Sequence, residues 1–155
     1  MKTNFKFALA AGLLTLSLGA GLAYAAMSPD DAIKARKACM KAGHGGVMGS
    51  AVPMIKGEKP FDAAALKVAF DAEDIACKDY SMLWGADTKA GTAEKTNALP
   101  AVWEDPKAFE AAGGVWYAAE QKVRAATDEA SFKAAFPALG GSCKGCHEKF
   151  RAPTQ

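Results

Sequence analysis

Residues 132–150 read FKAAFPALGGSCKGCHEKF, and their spacing decides the fold. Phe132, Phe136, Leu139, Cys143, Cys146 and Phe150 step by 4, 3, 4, 3 and 4 residues, the a/d seam of a helix packed in a bundle. The two cysteines therefore stand at core positions. With His147 they form C-x-x-C-H, the attachment pattern of a c-type haem. In that pattern the sulfurs join the haem vinyl groups as thioethers, and the histidine supplies an axial nitrogen to the iron. At i, i+3 and i+4 the three side chains leave one helix face, so a single flat cofactor can meet all of them. Pro137 predicts a bend or a restart, because an interior proline removes one hydrogen bond and kinks a helix.

Other readings of the motif fit less well. A structural zinc site takes four ligands, and the chain adds only His44 and the distant Cys39 and Cys77. A thioredoxin-like cysteine pair opens a helix after a strand, and no strand pattern precedes Cys143.

The N-terminus predicts export. Lys2 and Lys6 precede an uncharged apolar run from Ala8 to Ala23, and Ala23-Tyr24-Ala25 fits an A-x-A cleavage site. The run is shorter and richer in Ala and Gly than a membrane span of ~20 strongly apolar residues, so residues 1–25 read as a cleaved secretory signal peptide. Residues 26–155 read as a single domain, periplasmic and without a membrane span after cleavage. Removing Lys2 and Lys6 takes Lys+Arg from 19 to 17, equal to the 17 Asp+Glu. The bases are scattered rather than clustered, which argues against nucleic acid as a partner. In an oxidising compartment Cys39 and Cys77 can form a disulfide. They can equally be two small buried thiols, because free cysteine packs as a small hydrophobe.

β-branched residues are sparse and alanine is abundant, so the pattern is all-α. A first helix opens at Ser28-Pro29-Asp30-Asp31, with an N-cap serine, a proline at the first helical position and acidic residues in the first turn. Ile33, Met40 and Val47 mark its inward stripe. Gly43, Gly45, Gly46 and Gly49 weaken its second half, or let a flat cofactor approach. Asp62 caps a second helix, expected to run to about Trp84 with Leu66, Phe70, Cys77 and Trp84 inward. Gly85 to Pro100 is a crossover connection. Asp105-Pro106 opens a third helix, whose stripe of Phe109, Trp116 and Val123 is interrupted by Gly113-Gly114. Four helices with a covalent haem on the last give an antiparallel four-helix bundle.

At this point the chain resembles the class II cytochromes c, the family of cytochrome c-prime and its low-spin His/Met relatives, in which C-x-x-C-H lies near the C-terminus. The resemblance covers nearly all of residues 28–152. It is carried by Ala32-Ile33-Lys34-Ala35-Arg36 with Met40-Lys41, by Lys56-Gly57-Glu58-Lys59-Pro60-Phe61-Asp62-Ala63, by Pro100-Ala101-Val102-Trp103, and by Gly141-Ser142-Cys143 through Phe150-Arg151. It implies one haem c held by thioethers to Cys143 and Cys146, with His147 as proximal ligand. It also implies that Arg36 lies beside a haem propionate, which suits the bidentate pairing of guanidinium with carboxylate. By itself Arg36 would read as a solvated charge.

The position one turn after Arg36 faces the open side of the iron in this family, and here it is Met40. A Met40 thioether on the iron predicts a low-spin electron-transfer carrier with protein redox donors and acceptors. The alternative is a five-coordinate protein binding nitric oxide or carbon monoxide, with Met40 as apolar packing. His44, one further turn on, is a rival sixth ligand; Met48 and Met54 read as core or surface. No enzymatic turnover is expected, since His44 is the only imidazole available as a distal acid or base. Members of the family often pair through the first two helices, so a homodimer is an open expectation.

Overall fold

The structure, a computed structural model, describes residues 27–153; the expected signal peptide lies outside them. Helix α1 spans Pro29–Lys41, passes into a wider π-helical segment at Ala42–Met48, and continues as α2, Gly49–Ile55. Next come α3 (Ala63–Ala76), two 3-10 turns at Tyr80–Trp84 and Ala86–Thr88, the short α4 (Ala101–Glu104), α5 (Pro106–Arg124) and α6 (Glu129–Phe150). The continuous α1–π–α2 unit, α3, α5 and α6 are the four helices of the bundle. Among the described residues the only β-pairing is a single antiparallel bridge, Ala98 to Arg151.

The caps expected from the sequence form. The Ser28 hydroxyl accepts from the Asp31 amide, Asp62 from Ala65 and Asp105 from Ala108. A further cap, not expected from the sequence, opens α6: Asp128 accepts from the Ser131 amide while the Ser131 hydroxyl accepts from the Asp128 amide, a reciprocal capping box. Asp30 does more than complement the α1 dipole. Its carboxylate accepts from the Thr92 hydroxyl at 2.7 Å and from the amides of Ala93 and Glu94 at 3.1 and 2.8 Å. Those bonds hold its pKa below the usual carboxylate range and pin the crossover to the start of α1. Gly91 is required there, because a Cβ would stand well inside contact distance of the Asp30 carboxylate.

Two expectations need correction. The second helix stops at Ala76 instead of reaching Trp84. Cys77 is bonded to Cys39, Asp79 takes a left-handed φ of 59°, and the chain restarts as a 3-10 turn. Pro137 causes no restart, and α6 is one helix of 22 residues. Only one hydrogen bond is lost at the proline, and burial of Phe132, Phe136 and Leu139 holds the helix against the core on either side of it. Gly113-Gly114 interrupt only the apolar stripe of α5, which runs as one helix.

The core gathers Val47, Ala51 and Met54 from the first helix with Leu66, Ala69 and Phe70 of α3, Ala119 and Val123 of α5, and Phe132, Phe136 and Leu139 of α6. The α6 seam is closed at both ends. Phe132 is fully buried, Phe150 nearly so, whereas Cys143 and Cys146 between them are half-buried. The Cys39–Cys77 disulfide closes a loop of 38 residues. In the chain-entropy picture it stabilises by roughly 3–4 kcal/mol. A Cys39→Ser/Cys77→Ser variant should lose that much in urea unfolding followed by circular dichroism, with a steeper transition slope because the unfolded chain, freed of the cross-link, exposes more surface.

Candidate haem site

The α6 register brings Cys143, Cys146 and His147 to one face, where the bundle leaves two adjoining hollows. Met40, Tyr80, Cys146 and His147 line both. The inner hollow, about 80 Å3, also takes in Cys143 and is walled largely by apolar groups, among them Val47, Met48, Phe70, Trp116 and Leu139. The outer one, about 380 Å3, is bordered by Arg36, Lys37, Lys41 and Arg151, with no carboxylate in its lining. Burial pushes the Cys143 and Cys146 thiols up, so both are protonated and neutral near pH 7. The Tyr80 phenol, also buried, is pushed up to about 12.

Arg36, a solvated charge when read by itself and a propionate partner by the family resemblance, is 4% exposed. Its Nη2 donates to the Thr88 carbonyl at 2.6 Å and its Nε to the Ala32 carbonyl at 3.3 Å. Its guanidinium carbon lies 4.6 Å from the centre of the Trp84 ring and 5.7 Å from that of Trp103. The crossover builds this seat. The Thr88 hydroxyl donates to the carbonyls of Leu83 and Gly85, and the Trp103 indole N–H to that of Trp84. Burial lowers the Arg36 pKa, and Nη1, also buried, has no partner. A buried guanidinium without a carboxylate is costly unless an anion reaches it.

These features fit a haem c. A flat macrocycle with an apolar edge and two propionates matches an apolar inner hollow, a basic outer one and an orphaned guanidinium N–H. The residues that would hold it are Cys143, Cys146, His147 and Arg36, with Met40 beside them. Met48 lines the inner hollow, whereas Met54 is in the core. The side chain of His44 lies outside the described part of the structure.

Two further residues of the inner hollow escaped the sequence analysis. Glu73 and Glu120 are 6% and 3% exposed and line its wall. Arg124 donates from Nε to Glu120 and from Nη1 and Nη2 to Asp74, at 3.1 and 2.7 Å, with its guanidinium 4.2 Å from the centre of the Phe70 ring. Burial, reinforced by the charge of Glu120, raises the Glu73 pKa to about 7. Burial also raises that of Glu120, against the pull of Arg124. A sequence signal was present. Glu73 continues the 66, 70, 77 stripe and Glu120 the 116, 123 stripe, so each puts a carboxylate at a seam position.

Residues 31–151 match the family described as Cytochrome C'. The chain is 36% identical over 154 residues to cytochrome c' of Rhodopseudomonas palustris, covering 96% of this chain and 97% of the relative. It is 34% identical over 143 residues to cytochrome c-556 of Agrobacterium fabrum, covering 91% and 92%. Among solved structures, cytochrome c' from Rubrivivax gelatinosus superposes with a TM-score of 0.71 at 34% identity, over 81% of this chain and 98% of that one. The nitric oxide complex of a variant cytochrome c prime from Alcaligenes xylosoxidans superposes with a TM-score of 0.67 at 28% identity, with the same coverage. The fold, the C-terminal C-x-x-C-H and these similarities together make the chain a member of the cytochrome c' family of haem proteins.

Proposed function

We propose that the chain is an exported monohaem cytochrome whose iron takes His147 on one face and binds small gases such as nitric oxide on the other. The similarity to a cytochrome c prime solved as its nitric oxide complex supports this reading most strongly. The apolar walls of the inner hollow, Val47, Met48 and Phe70, agree with it, because they favour an uncharged diatomic over water. Among the described residues no helix is long and apolar enough to cross a membrane. Export rests on Lys2, Lys6 and the Ala23-Tyr24-Ala25 site.

When bound, haem c would supply an iron for one-electron change and for binding a small gas. Cys143 and Cys146 fix its position through thioethers, and their helical register sets its orientation. His147 gives the iron a nitrogen. Arg36, whose buried Nη1 has no hydrogen-bond partner, would bind a propionate and so restore the charge balance that its burial upsets. The roles are binding and positioning, with no turnover of the chain's own.

The low-spin electron carrier is the second reading. Met40 lies one turn after Arg36 and lines both hollows together with His147, and the chain is similar to a cytochrome c-556. Carbon monoxide separates the two. Mixed with the ferrous protein at pH 7, it should bind quickly and fully, and Met40→Ala should leave the ferrous absorption spectrum high-spin and little changed. Negligible binding, with a low-spin spectrum that Met40→Ala converts to high-spin, would establish Met40 as a ligand instead. Covalent attachment is tested on denaturing gels stained for haem. The wild type should keep its haem, and Cys143→Ser/Cys146→Ser should lose all of it.

A further inference from the structure

Glu73 and Glu120 are the charged side chains in the described structure that neither the haem nor the fold accounts for. They come from different helices, α3 and α5, and converge on one wall of the hollow that holds Cys143 and His147. Each has one buried carboxylate oxygen, Oε2, without a hydrogen-bond partner. Space is made for Glu73 by Gly43 of the π segment, since a Cβ there would come within 2.7 Å of its Oε1. Only Glu120 of the two is bonded to a cation. Arg124 is committed through Nε to Glu120 and through Nη1 and Nη2 to Asp74, which leaves Glu73 with no ion pair.

We propose that Glu73 and Glu120 form a one-proton binding site in the wall of the haem hollow, filled when the iron is reduced and emptied when it is oxidised. The proposal rests on the haem reading above but not on the sixth ligand. Arg124 offsets Glu120 and shares its charge with the exposed Asp74, so an ionised Glu73 adds a buried negative charge without a bonded cation to a low-dielectric wall, and a single proton removes it. The ferric iron carries one positive charge more than the ferrous iron and favours the ionised pair. Upon reduction the iron gains one electron from an external one-electron donor and the pair gains one proton from solvent; oxidation returns both. The net charge of the hollow is the same in the two states. The route for the proton is short, because Asp74 is exposed, Arg124 partly so, and Arg124 reaches Glu120 at the hollow.

The other titratable groups facing the pair are few. Asp74 and Glu120 raise the Glu73 pKa and Arg124 lowers it. Cys143 no longer titrates once alkylated, and Cys39 is in a disulfide. Tyr80, pushed up to about 12, stays neutral over the range of interest. His147 serves the iron, and the His44 side chain on the π segment lies outside the described residues. The pair titrates as a unit, so the prediction concerns the pair and not one carboxylate.

The test is a mediated redox titration of the holoprotein from pH 5 to 9, with dithionite as reductant. In the wild type the midpoint potential should fall as pH rises through neutrality, approaching about 59 mV per tenfold change in proton concentration where one proton accompanies one electron. Glu73→Gln/Glu120→Gln should lose that slope, whereas Glu58→Gln, an exposed change remote from the hollow, should keep it. Redox-difference infrared spectra of the wild type give a second readout that needs no variant. A carboxylic C=O band should grow on reduction and shift in deuterated water. A wild-type potential independent of pH, a slope unchanged in the double variant, or no carboxylic band would each overturn the proposal. Finding a six-coordinate iron would contradict gas binding and leave this experiment fully readable.

Discussion

The helical register of α6 is the constraint on which the rest of the molecule depends. One stripe of side chains has two jobs along 19 residues: Phe132, Phe136 and Leu139 close the core, and Cys143, Cys146 and His147 meet a cofactor. The bundle can satisfy both only if its helices part beside the last three turns of α6 while staying packed at the other end. The long crossover and the latch between residues 97–99 and the end of α6 serve that geometry. Leu99 donates its amide to the Phe150 carbonyl at 2.9 Å and Ala152 to that of Asn97 at 2.7 Å. The two contacts close the seam just beyond His147.

Around that opening the chain sorts its charges in an unusual way. A cation, Arg36, is buried at the outer hollow beside Trp84 and Trp103 with one N–H unpartnered, and two carboxylates are buried at the inner hollow, of which only Glu120 is paired with a cation, Arg124. Isolated buried charges of this kind are expensive in a folded protein. Both sets become intelligible beside an amphipathic group with an iron of variable charge. On the proposed reading a propionate would answer Arg36, and the extra positive charge of a ferric iron would answer the second carboxylate.

Much of this was legible in the sequence. The heptad spacing of residues 132–150 marked the last helix and its cysteines, and Ser28, Asp62 and Asp105 lie where their helices begin. Local chemistry decides caps, so local patterns find them. The errors have a common cause in tertiary override. The early stop of α3 at Ala76 follows a cross-link to Cys39, which a window over residues 62–84 does not contain. The continuity of α6 through Pro137 follows from burial against helices far away in sequence. Arg36 needed the crossover carbonyl of Thr88 to bury it, and no spacing rule joins positions 52 residues apart. Glu73 and Glu120 were visible as seam positions, but their stripes were read for apolar residues, and the carboxylates between them went unremarked.

The central claim is that His147 is the iron's one axial protein ligand and that Met40 stands by the open face without bonding to it. Iron K-edge X-ray absorption of the ferrous protein at neutral pH tests this most directly, because sulfur and nitrogen scatter differently in the first coordination shell. The account predicts a shell of nitrogen alone, the same in Met40→Ala as in the wild type. A sulfur neighbour present in the wild type and absent from Met40→Ala would contradict it.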